Sequence, residues 1–236
     1  MAEQEVLNVS NLNAWYGESH VLHGVNLSVR KGEVVTLLGR NGSGRTSTLR
    51  SIMGLVGRRA GSIVVNGVET CRMSTYKIAH LGIGYCPEER AIFSSLSVEE
   101  NLMLPPKVGE GGMSVDEIYE MFPNLRERRK TAQGTKLSGG EQQMLAMARI
   151  LRTGAHLLLL DEITEGLAPV IVQAIGRVIV KLKERGFTIV LVEQNFRFAA
   201  PLADRHYVME HGKIAQSFAA AELESKTTML HEYLGV

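Results

Sequence analysis

Residues 39–47, with the sequence GRNGSGRTS, have the spacing of a loop that binds phosphate groups. In the pattern G-x-x-x-x-G-K-[ST], glycines let the loop curl so that backbone N–H groups point at a phosphate, and the following helix adds its positive end. The hydroxyl that follows the cation is placed to reach Mg²⁺, and Thr46 holds that position here. The residues of this predicted phosphate loop are Gly39, Arg40, Asn41, Gly42, Ser43, Gly44, Arg45, Thr46 and Ser47.

The cation position of the loop holds Arg45 where the pattern asks for lysine. Lysine is a slim point charge, whereas arginine is planar, bulkier and able to bind phosphate oxygens with two N–H groups. The charge is kept while the geometry changes, so we expect nucleotide binding to be retained and hydrolysis to be slowed. For this segment alone, an ordinary glycine-rich turn between a strand and a helix remains the alternative.

A second glycine-containing helix start is predicted in the segment LSGGEQQ, residues 137–143. Ser138 followed three residues later by Glu141 is the signature of a capping box, which by itself predicts only a good helix start. Two glycines in a helix, however, cost about 1 kcal/mol each relative to alanine. Because bare N–H groups at a positive helix end suit an anion, we predict that Gly139 and Gly140 contact phosphate.

The run HLLLLDE, residues 156–162, places two acids at the exit of a buried strand. Asp161 suits a direct or water-mediated ligand of Mg²⁺, because this ion prefers carboxylate oxygens. Glu162 is the candidate for polarising an attacking water, since phosphoryl transfer depends mainly on positioning and on neutralising charge. Taken alone, acids at the end of a strand are also common loop residues.

The elements that must position these groups alternate between strands and helices. The continuous apolar runs VVTLL, LLLL and TIVLV indicate strands buried on both faces of a parallel sheet, whereas the earlier runs alternate like an antiparallel sheet. Helices are predicted over residues 45–56, 138–152, 170–185 and 227–234. The pattern therefore predicts an α/β core, and EHGKI at 210–214 predicts a tight hairpin turn with Gly212 at positive φ.

Residues 89–153 differ from the rest of the chain. Their pattern is short and helical, it is broken by PP at 105–106 and GEGG at 109–112, and it contains no run typical of a buried strand. We predict a helical subdomain over 89–153, inserted between the core segments 1–88 and 154–236. Together these parts form one nucleotide-binding domain.

The composition of the 236 residues excludes some classes of partner. The formal net charge is +1 and no long run of one sign occurs, so we expect no nucleic acid as a partner. The longest apolar runs fall far short of the roughly 20 residues that span a bilayer. Cys71 and Cys86 are too few for a disulfide framework. Any membrane role would therefore come through a partner.

The phosphate loop, LSGGEQQ and the strand ending in DE, in this order, resemble the ATP-binding subunits of ABC transporters along nearly the whole chain. The resemblance implies a P-loop NTPase core, with a mixed sheet, antiparallel N-terminal strands and an inserted helical subdomain, that hydrolyses ATP with Mg²⁺. It implies that Thr46, Asp161 and Glu88 hold the ion. In GYCPEER, Glu88 stands where the family usually has a glutamine.

The resemblance also implies roles for two further residues. Tyr16, in AWYGESHVL, matches the aromatic residue that stacks on adenine, although a half-buried sheet aromatic beside Trp15 is the alternative. Gln194, in VEQN, stands where most members have a histidine that contacts the γ-phosphate. An amide can form a hydrogen bond to phosphate but cannot carry charge near neutral pH. Glu162 and Gln194 are therefore the expected catalytic residues.

Partners follow from the resemblance as well. It implies two ATPase subunits, identical or different, packed head to tail, with each ATP between one phosphate loop and the other chain's signature. It further implies transmembrane permease subunits and, indirectly, a solute-binding protein. The chain would be peripheral at the cytoplasmic face of the inner or plasma membrane and soluble when isolated. The signature residues in this scheme are Ser138, Gly139, Gly140 and Glu141.

Several departures resemble one branch, the ATPases of branched-chain amino acid uptake. These are Glu88, EGLAP at 165–169, EQN at 193–195 and the stretch GRNG…RTSTLRSIMGLV, although Arg45 is not typical of the branch. Two alternatives stay open. One is a degenerate, regulatory subunit with little hydrolysis, and the other is a soluble ABC protein without a transport role.

Overall fold

A computed structural model of the chain describes residues 4–130 and 136–234. Its strands are β1 (Glu5–Tyr16), β2 (Ser19–Arg30), β3 (Val34–Leu38), β4 (Arg58–Val65), β5 (Val68–Glu69), β6 (Ile83–Cys86), β7 (Leu157–Asp161), β8 (Thr188–Val192), β9 (Arg205–Glu210) and β10 (Lys213–Ala219). Its helices are α1 (Arg45–Ile52), α2 (Thr75–Ala79), α3 (Val98–Met103), α4 (Val115–Met121), α5 (Pro123–Glu127), α6 (Gly139–Leu151), α7 (Pro169–Glu184), α8 (Phe196–Ala199) and α9 (Leu223–Leu234).

The strands form two sheets. The first has the order β2-β1-β4-β5 and is antiparallel throughout. The second has the order β10-β9-β3-β8-β7-β6, in which only the β9–β10 pair is antiparallel. The predicted α/β fold with antiparallel N-terminal strands is confirmed. Because β3, β6, β7 and β8 are parallel, the loops that follow them meet at one edge of the sheet.

Both faces of the parallel strands are buried, which explains their unbroken apolar runs. Every residue of β3, β7 and β8 is buried. Along β7, Leu157 and Leu159 belong to one core cluster, while Leu158 and Leu160 belong to the other. Successive side chains of a strand point to opposite faces, so each run needs apolar residues at every position.

Two hydrophobic clusters flank the parallel sheet. One lies between the two sheets and includes Leu49 and Ile52 of α1. The other lies against helices of the second half, with Leu145 from α6, Ile175 from α7 and Leu230 from α9. The sheet is therefore the middle layer, and both α1 and α6 are anchored to it by their apolar faces.

The described residues between β6 and β7 contain α3, α4, α5 and α6 and no strand. Ser97, Ser114 and Ser138 each begin a helix with a capping box. Side chains of these helices pack in the same cluster as β7 and β8. The division into an inserted subdomain over 89–153 and a two-part core stays a prediction, and residues 131–135 lie outside the described part.

Some element bounds differ from the predicted ones. Helix α1 ends at Ile52 rather than at 56, because Gly54 adopts φ 74° and accepts the chain reversal that ends the helix. Strand β6 was not predicted from the sequence. It is only four residues long and contains Gly84, where a side chain would collide with Ile150. Close packing, invisible in the sequence, explains a glycine inside this strand.

The turn between β9 and β10 supports the phosphate loop. His211 and Gly212 have φ values of 46° and 73°, as a two-residue hairpin turn requires, so the predicted tight turn at Gly212 is confirmed. The Gly212 N–H donates to the Ser43 carbonyl at 2.9 Å, and the Gly212 carbonyl accepts from the His23 N–H at 2.8 Å. A side chain at Gly212 would collide with the Val21 carbonyl.

Among the described helices, none combines the length and the hydrophobicity that spanning a bilayer requires.

Candidate active site

The phosphate loop connects the end of β3 to α1. Gly39 has φ 155°, and a Cβ there would lie 2.5 Å from the Met209 carbonyl oxygen and 2.6 Å from Ser43 Oγ. Gly44 precedes α1 with φ 106° and provides no side-chain cap. Within the described chain, the first N–H groups of α1 therefore have no side-chain acceptor and remain open to an anion.

A cavity of about 410 Å³ opens beside the loop. It brings the phosphate loop together with acidic residues from the loops that follow β6 and β7. Its lining consists of Val21, Asn41, Gly42, Ser43, Gly44, Arg45, Thr46, Ser47, Glu88, Glu162 and Glu165. A triphosphate would thus meet backbone N–H groups and a guanidinium on one side and carboxylates on the other.

Thr46 and Asp161 lie together at this edge of the sheet. The Thr46 hydroxyl donates to Asp161 Oδ1 at 3.1 Å, and the Tyr85 hydroxyl donates to Asp161 Oδ2 at 2.8 Å. Burial raises the pKa of Asp161 above its ordinary value, while the hydrogen bonds from Tyr85 and Thr46 oppose the rise. A hydroxyl and a carboxylate in contact form a pair of hard oxygen donors that suits Mg²⁺.

Arg45 crosses the cavity to Glu162. Its Nη2 atom lies 2.8 Å from Glu162 Oε1 and 3.2 Å from Asn41 Oδ1. The two charged side chains are 3% and 11% exposed. Burial raises the pKa of Glu162 to about 7, while the positive charge of Arg45 opposes that rise. The unusual cation of the loop and the predicted base therefore form a buried ion pair.

Glu162 also has an unusual backbone. Its φ is 46°, a region that non-glycine residues rarely adopt, and its N–H donates to the Val192 carbonyl at 2.9 Å. Such strain at a cavity wall persists only where surrounding contacts fix it. Here it turns the Glu162 side chain from the end of β7 toward the phosphate loop.

Glu88 lies in a carboxylate cluster with Glu162 and Glu165. Oxygen atoms of the three residues all lie within 4.8 Å of one another. Burial raises the pKa of Glu88, and the neighbouring carboxylates of Glu165 and Glu89 raise it further. The predicted ion ligands Thr46 and Asp161 are in contact, while Glu88 lies in this adjacent cluster. Its role as an ion ligand stays a prediction.

Two further acids at this edge of the sheet, Glu165 and Glu193, were not among the predicted site residues. Glu165 lies three residues after Glu162, and its N–H donates to the Glu162 carbonyl at 3.3 Å, so the turn brings both carboxylates to one side. Glu193 accepts hydrogen bonds from the Thr164 N–H at 3.1 Å and the Thr164 hydroxyl at 2.8 Å. Burial raises its pKa to about 7. The available signal for Glu193 was its position directly after the buried strand β8, whereas Glu165 is brought to the site by the turn that follows β7.

Two predicted residues lie outside the cavity lining in the described structure. Tyr16 is 42% exposed at the end of β1. Trp15 beside it is stacked on His20 with 4.4 Å between centroids, and Arg58 lies 4.7 Å from the Trp15 ring. Trp15 therefore already has two ring contacts within the chain. Gln194 is exposed in the segment after β8. The roles of Tyr16 and Gln194 stay predictions.

The signature residues begin α6 and form a complete capping box. Ser138 Oγ accepts from the Glu141 N–H at 3.3 Å, and Glu141 Oε2 accepts from the Ser138 N–H at 2.7 Å. Arg128 Nε donates to Glu141 Oε1 at 3.0 Å. None of the residues 138–141 belongs to the described lining of the phosphate-loop cavity. The N–H groups of Ser138 and Glu141 are bonded within the capping box, and Gly140 is buried.

A second cavity, of about 540 Å³, lies beside β6 and is lined by residues of α1, α2 and α6 and of the segments next to them. Leu55 on its wall is 44% exposed. The lining is largely apolar and includes Pro87 and Glu89, directly before and after Glu88 in the chain, together with Tyr85, Pro106 and Ile150. A segment bound there would touch the loop that carries Glu88.

The ABC transporter family model matches residues 22–165 of this chain. The high-affinity branched-chain amino acid transport ATP-binding protein BraG of Pseudomonas aeruginosa is 40% identical over 233 residues, which are 98% of this chain and 100% of the relative. The probable branched-chain amino acid transport ATP-binding protein LivF of Archaeoglobus fulgidus is 38% identical over 222 residues, covering 92% and 94% of the two chains.

A solved structure is similar along most of its length. It is a dimeric post-hydrolysis state of the ATP-binding cassette MJ0796 bound to ADP and Pi, with a TM-score of 0.77 and 25% identity. The match covers 91% of this chain and 98% of the other.

Proposed function

The chain belongs to the ABC transporter family as an ATP-binding, ATP-hydrolysing subunit, and from this membership we propose that it drives import of branched-chain or related amino acids. One observation supports its mechanism above the others. The uncapped start of α1, with Arg45 and Thr46, lines a single cavity together with Glu162, and Thr46 contacts the buried Asp161.

In this proposal the phosphate loop binds the triphosphate of ATP. The open N–H groups at the start of α1 and the guanidinium of Arg45 bind phosphate oxygens. Exposed Tyr16 stacks on the adenine ring, since the neighbouring Trp15 ring already contacts His20 and Arg58. The glycines of the loop keep its backbone close to the phosphates.

The donor set supports magnesium as the ion. Thr46 and Asp161 would hold it, and Glu88 would complete the set from the neighbouring cluster. When bound, Mg²⁺ neutralises charge that develops on the phosphate oxygens. Tyr85 fixes the orientation of Asp161 through its hydrogen bond at 2.8 Å.

Glu162 is the proposed base. A water oxygen attacks the γ-phosphorus, the bond to the β,γ-bridging oxygen breaks, and ADP leaves with that electron pair. The proton of the water passes to Glu162, whose raised pKa of about 7 suits a base near neutral pH. Gln194, from the segment after β8, forms a hydrogen bond to the γ-phosphate.

A second ATPase subunit would complete each site. The start of α6 and the start of α1 are both phosphate-binding helix ends, yet the cavity of one chain is lined by only one of them. We propose a head-to-tail dimer in which Ser138, Gly139, Gly140 and Glu141 approach the ATP of the partner. The dimeric relative bound to ADP and Pi supports this arrangement.

The permease subunits would dock at the apolar cavity beside β6. Its walls include Pro87 and Glu89 on either side of Glu88, so a bound segment would be sensed at the ion site. The chain would then lie at the cytoplasmic face of the membrane, held there by its partners. The solute class rests on the named roles of BraG and LivF, and a solute-binding protein would deliver the solute.

The buried ion pair favours a second candidate function, that of a regulatory subunit. Arg45 holds Glu162 at 2.8 Å, and a base that cannot be released would leave ATP bound and scarcely hydrolysed. The two candidates differ in turnover, while both require nucleotide binding.

The test measures MgATP binding and turnover by the purified chain and by Glu162→Gln. We expect slow turnover in the wild type, a loss of about 100-fold or more in the variant, and an ATP-dependent dimer of that variant. Chelation of Mg²⁺ should abolish turnover. An unchanged rate in Glu162→Gln would contradict the assignment of the base, and binding without any wild-type turnover would favour the regulatory subunit.

The solute is tested with the membrane complex purified together with this chain. Leucine, isoleucine or valine, offered with the binding protein, should stimulate ATP hydrolysis, whereas stimulation by urea or small amides instead would refute the amino acid class.

A further inference from the structure

The two terminal nitrogen atoms of the Arg45 guanidinium differ in their hydrogen bonds within the described residues. Nη2 contacts both Glu162 Oε1 and Asn41 Oδ1. Nη1 is buried and has no hydrogen-bond partner in the described part of the chain. Leaving a buried N–H of a charged group without an acceptor is unfavourable. The arrangement therefore calls for an acceptor from outside the protein, and Arg45 lines the cavity where phosphate would bind.

The positive charge of Arg45 also stabilises the carboxylate of Glu162, its ion-pair partner. Glu162 lies within 4.8 Å of carboxylate oxygens from Glu88 and Glu165. Two like charges at about 4 Å repel by several kcal/mol near a protein surface. Among the described residues that line the cavity, Arg45 is the basic one, and it is paired with Glu162 rather than with the other two acids.

We propose that Arg45 is a positioning residue that bridges the base and the nucleotide. Nη2 keeps its contact with Glu162, while the free Nη1 binds an oxygen of the terminal phosphate. The planar fork then fixes the carboxylate at a set distance from the phosphorus that the water attacks. The inference rests on the proposed function, and it deepens that function by giving the unusual arginine a role of its own.

The bridge requires an arginine rather than any cation. Arginine presents donors on separate nitrogen atoms in a rigid plane, whereas lysine has one nitrogen at the end of a flexible chain. A lysine at position 45 would keep the charge for phosphate and lose the fixed link to Glu162. Binding and catalysis should therefore separate in Arg45→Lys, and the loss of kcat reverses the expectation from the sequence that arginine slows hydrolysis.

The experiment compares the steady-state kinetics of the wild type, Arg45→Lys and Arg177→Lys, an exposed arginine on α7 that serves as a matched control. We expect Arg45→Lys to keep KM within about threefold, since its charge remains. Its kcat should fall about 10- to 100-fold, as displacement of a catalytic group by about 1 Å produces. Arg177→Lys should match the wild type in both constants.

A second measurement tests the fork itself. Guanidinium ions added to Arg45→Ala should restore part of kcat, and ethylammonium ions should not. Equal rescue by both ions, or by neither, would overturn the bridge, as would an Arg45→Lys enzyme with wild-type kcat. If the wild type itself bound no MgATP, the proposed function would fail instead.

Discussion

The two glycine-containing helix starts, of α1 and α6, use their N–H groups differently. Helix α1 begins after Gly44, which provides no cap, and its first turn faces a cavity. Helix α6 begins after Ser138, and a complete capping box with Glu141 satisfies two of its N–H groups internally. The N–H groups at the start of α1 are open to a ligand in the isolated chain, whereas some N–H groups at the start of α6 already donate to acceptors within the protein.

The glycines of the second start also differ from each other. A Cβ on Gly140 would lie 2.7 Å from Ile171 Cγ2, so packing against α7 requires a glycine there. The three atoms nearest to a Cβ on Gly139 would all belong to the guanidinium of Arg90, the closest at 3.3 Å. Packing therefore explains one of the two glycines. The second glycine, Gly139, is the one that the proposed contact with the ATP of a second subunit would explain.

The largest expected effect is a loss of MgATP affinity at the start of α1. Arg45→Ala removes donors to phosphate, and hydrogen bonds to charged groups contribute about 1.5–3 kcal/mol each. We expect the Kd for MgATP to rise about 10- to 100-fold, measured by titration of the isolated chain. Arg177→Ala is the control. An unchanged Kd in Arg45→Ala would mean that the open helix start binds phosphate without this cation.

The next effect concerns packing at α6. Gly140→Ala forces a methyl group against Ile171, and overpacking of this kind costs about 1–3 kcal/mol, partly offset by the better helix propensity of alanine. We expect the free energy of unfolding to fall by about 1 kcal/mol or more, measured by urea denaturation. A variant as stable as the wild type would show that the half-buried Ile171 side chain moves aside without cost.

The smallest expected effect on the isolated chain is that of a substitution at Gly139, at the start of α6. Gly139→Ala should leave the Kd for MgATP unchanged and raise stability by up to about 1 kcal/mol, because alanine favours a helix. In the Glu162→Gln background it should prevent the ATP-dependent dimer, measured by size-exclusion chromatography with light scattering. A weaker Kd in the monomer would contradict the separation of the two helix starts.

The sequence predicted this site well where a local pattern determines the contact. The loop of residues 39–47, the buried run ending at Asp161 and the capping box at Ser138 all follow from short spacings. Continuous apolar runs likewise predicted β3, β7 and β8, because both faces of those strands are buried.

Contacts between distant segments could not be predicted. The ion pair of Arg45 with Glu162 joins residues 117 positions apart, and the contact of Glu193 with Thr164 joins two loops across the sheet edge. The same holds for β6, since Gly84 is explained only by the neighbouring Ile150. Each of these depends on how strands are ordered in the sheet, which no local spacing specifies.

The contact between the Gly212 N–H and the Ser43 carbonyl has a consequence for how related sequences are compared. A related chain could keep every nucleotide-binding motif and yet carry a bulky residue at the position of Gly212 in the β9–β10 turn. Its motifs would all be recognised, although its phosphate loop would have the wrong conformation. The ability to bind nucleotide thus depends partly on a residue some 170 positions after the phosphate-loop motif by which it is recognised.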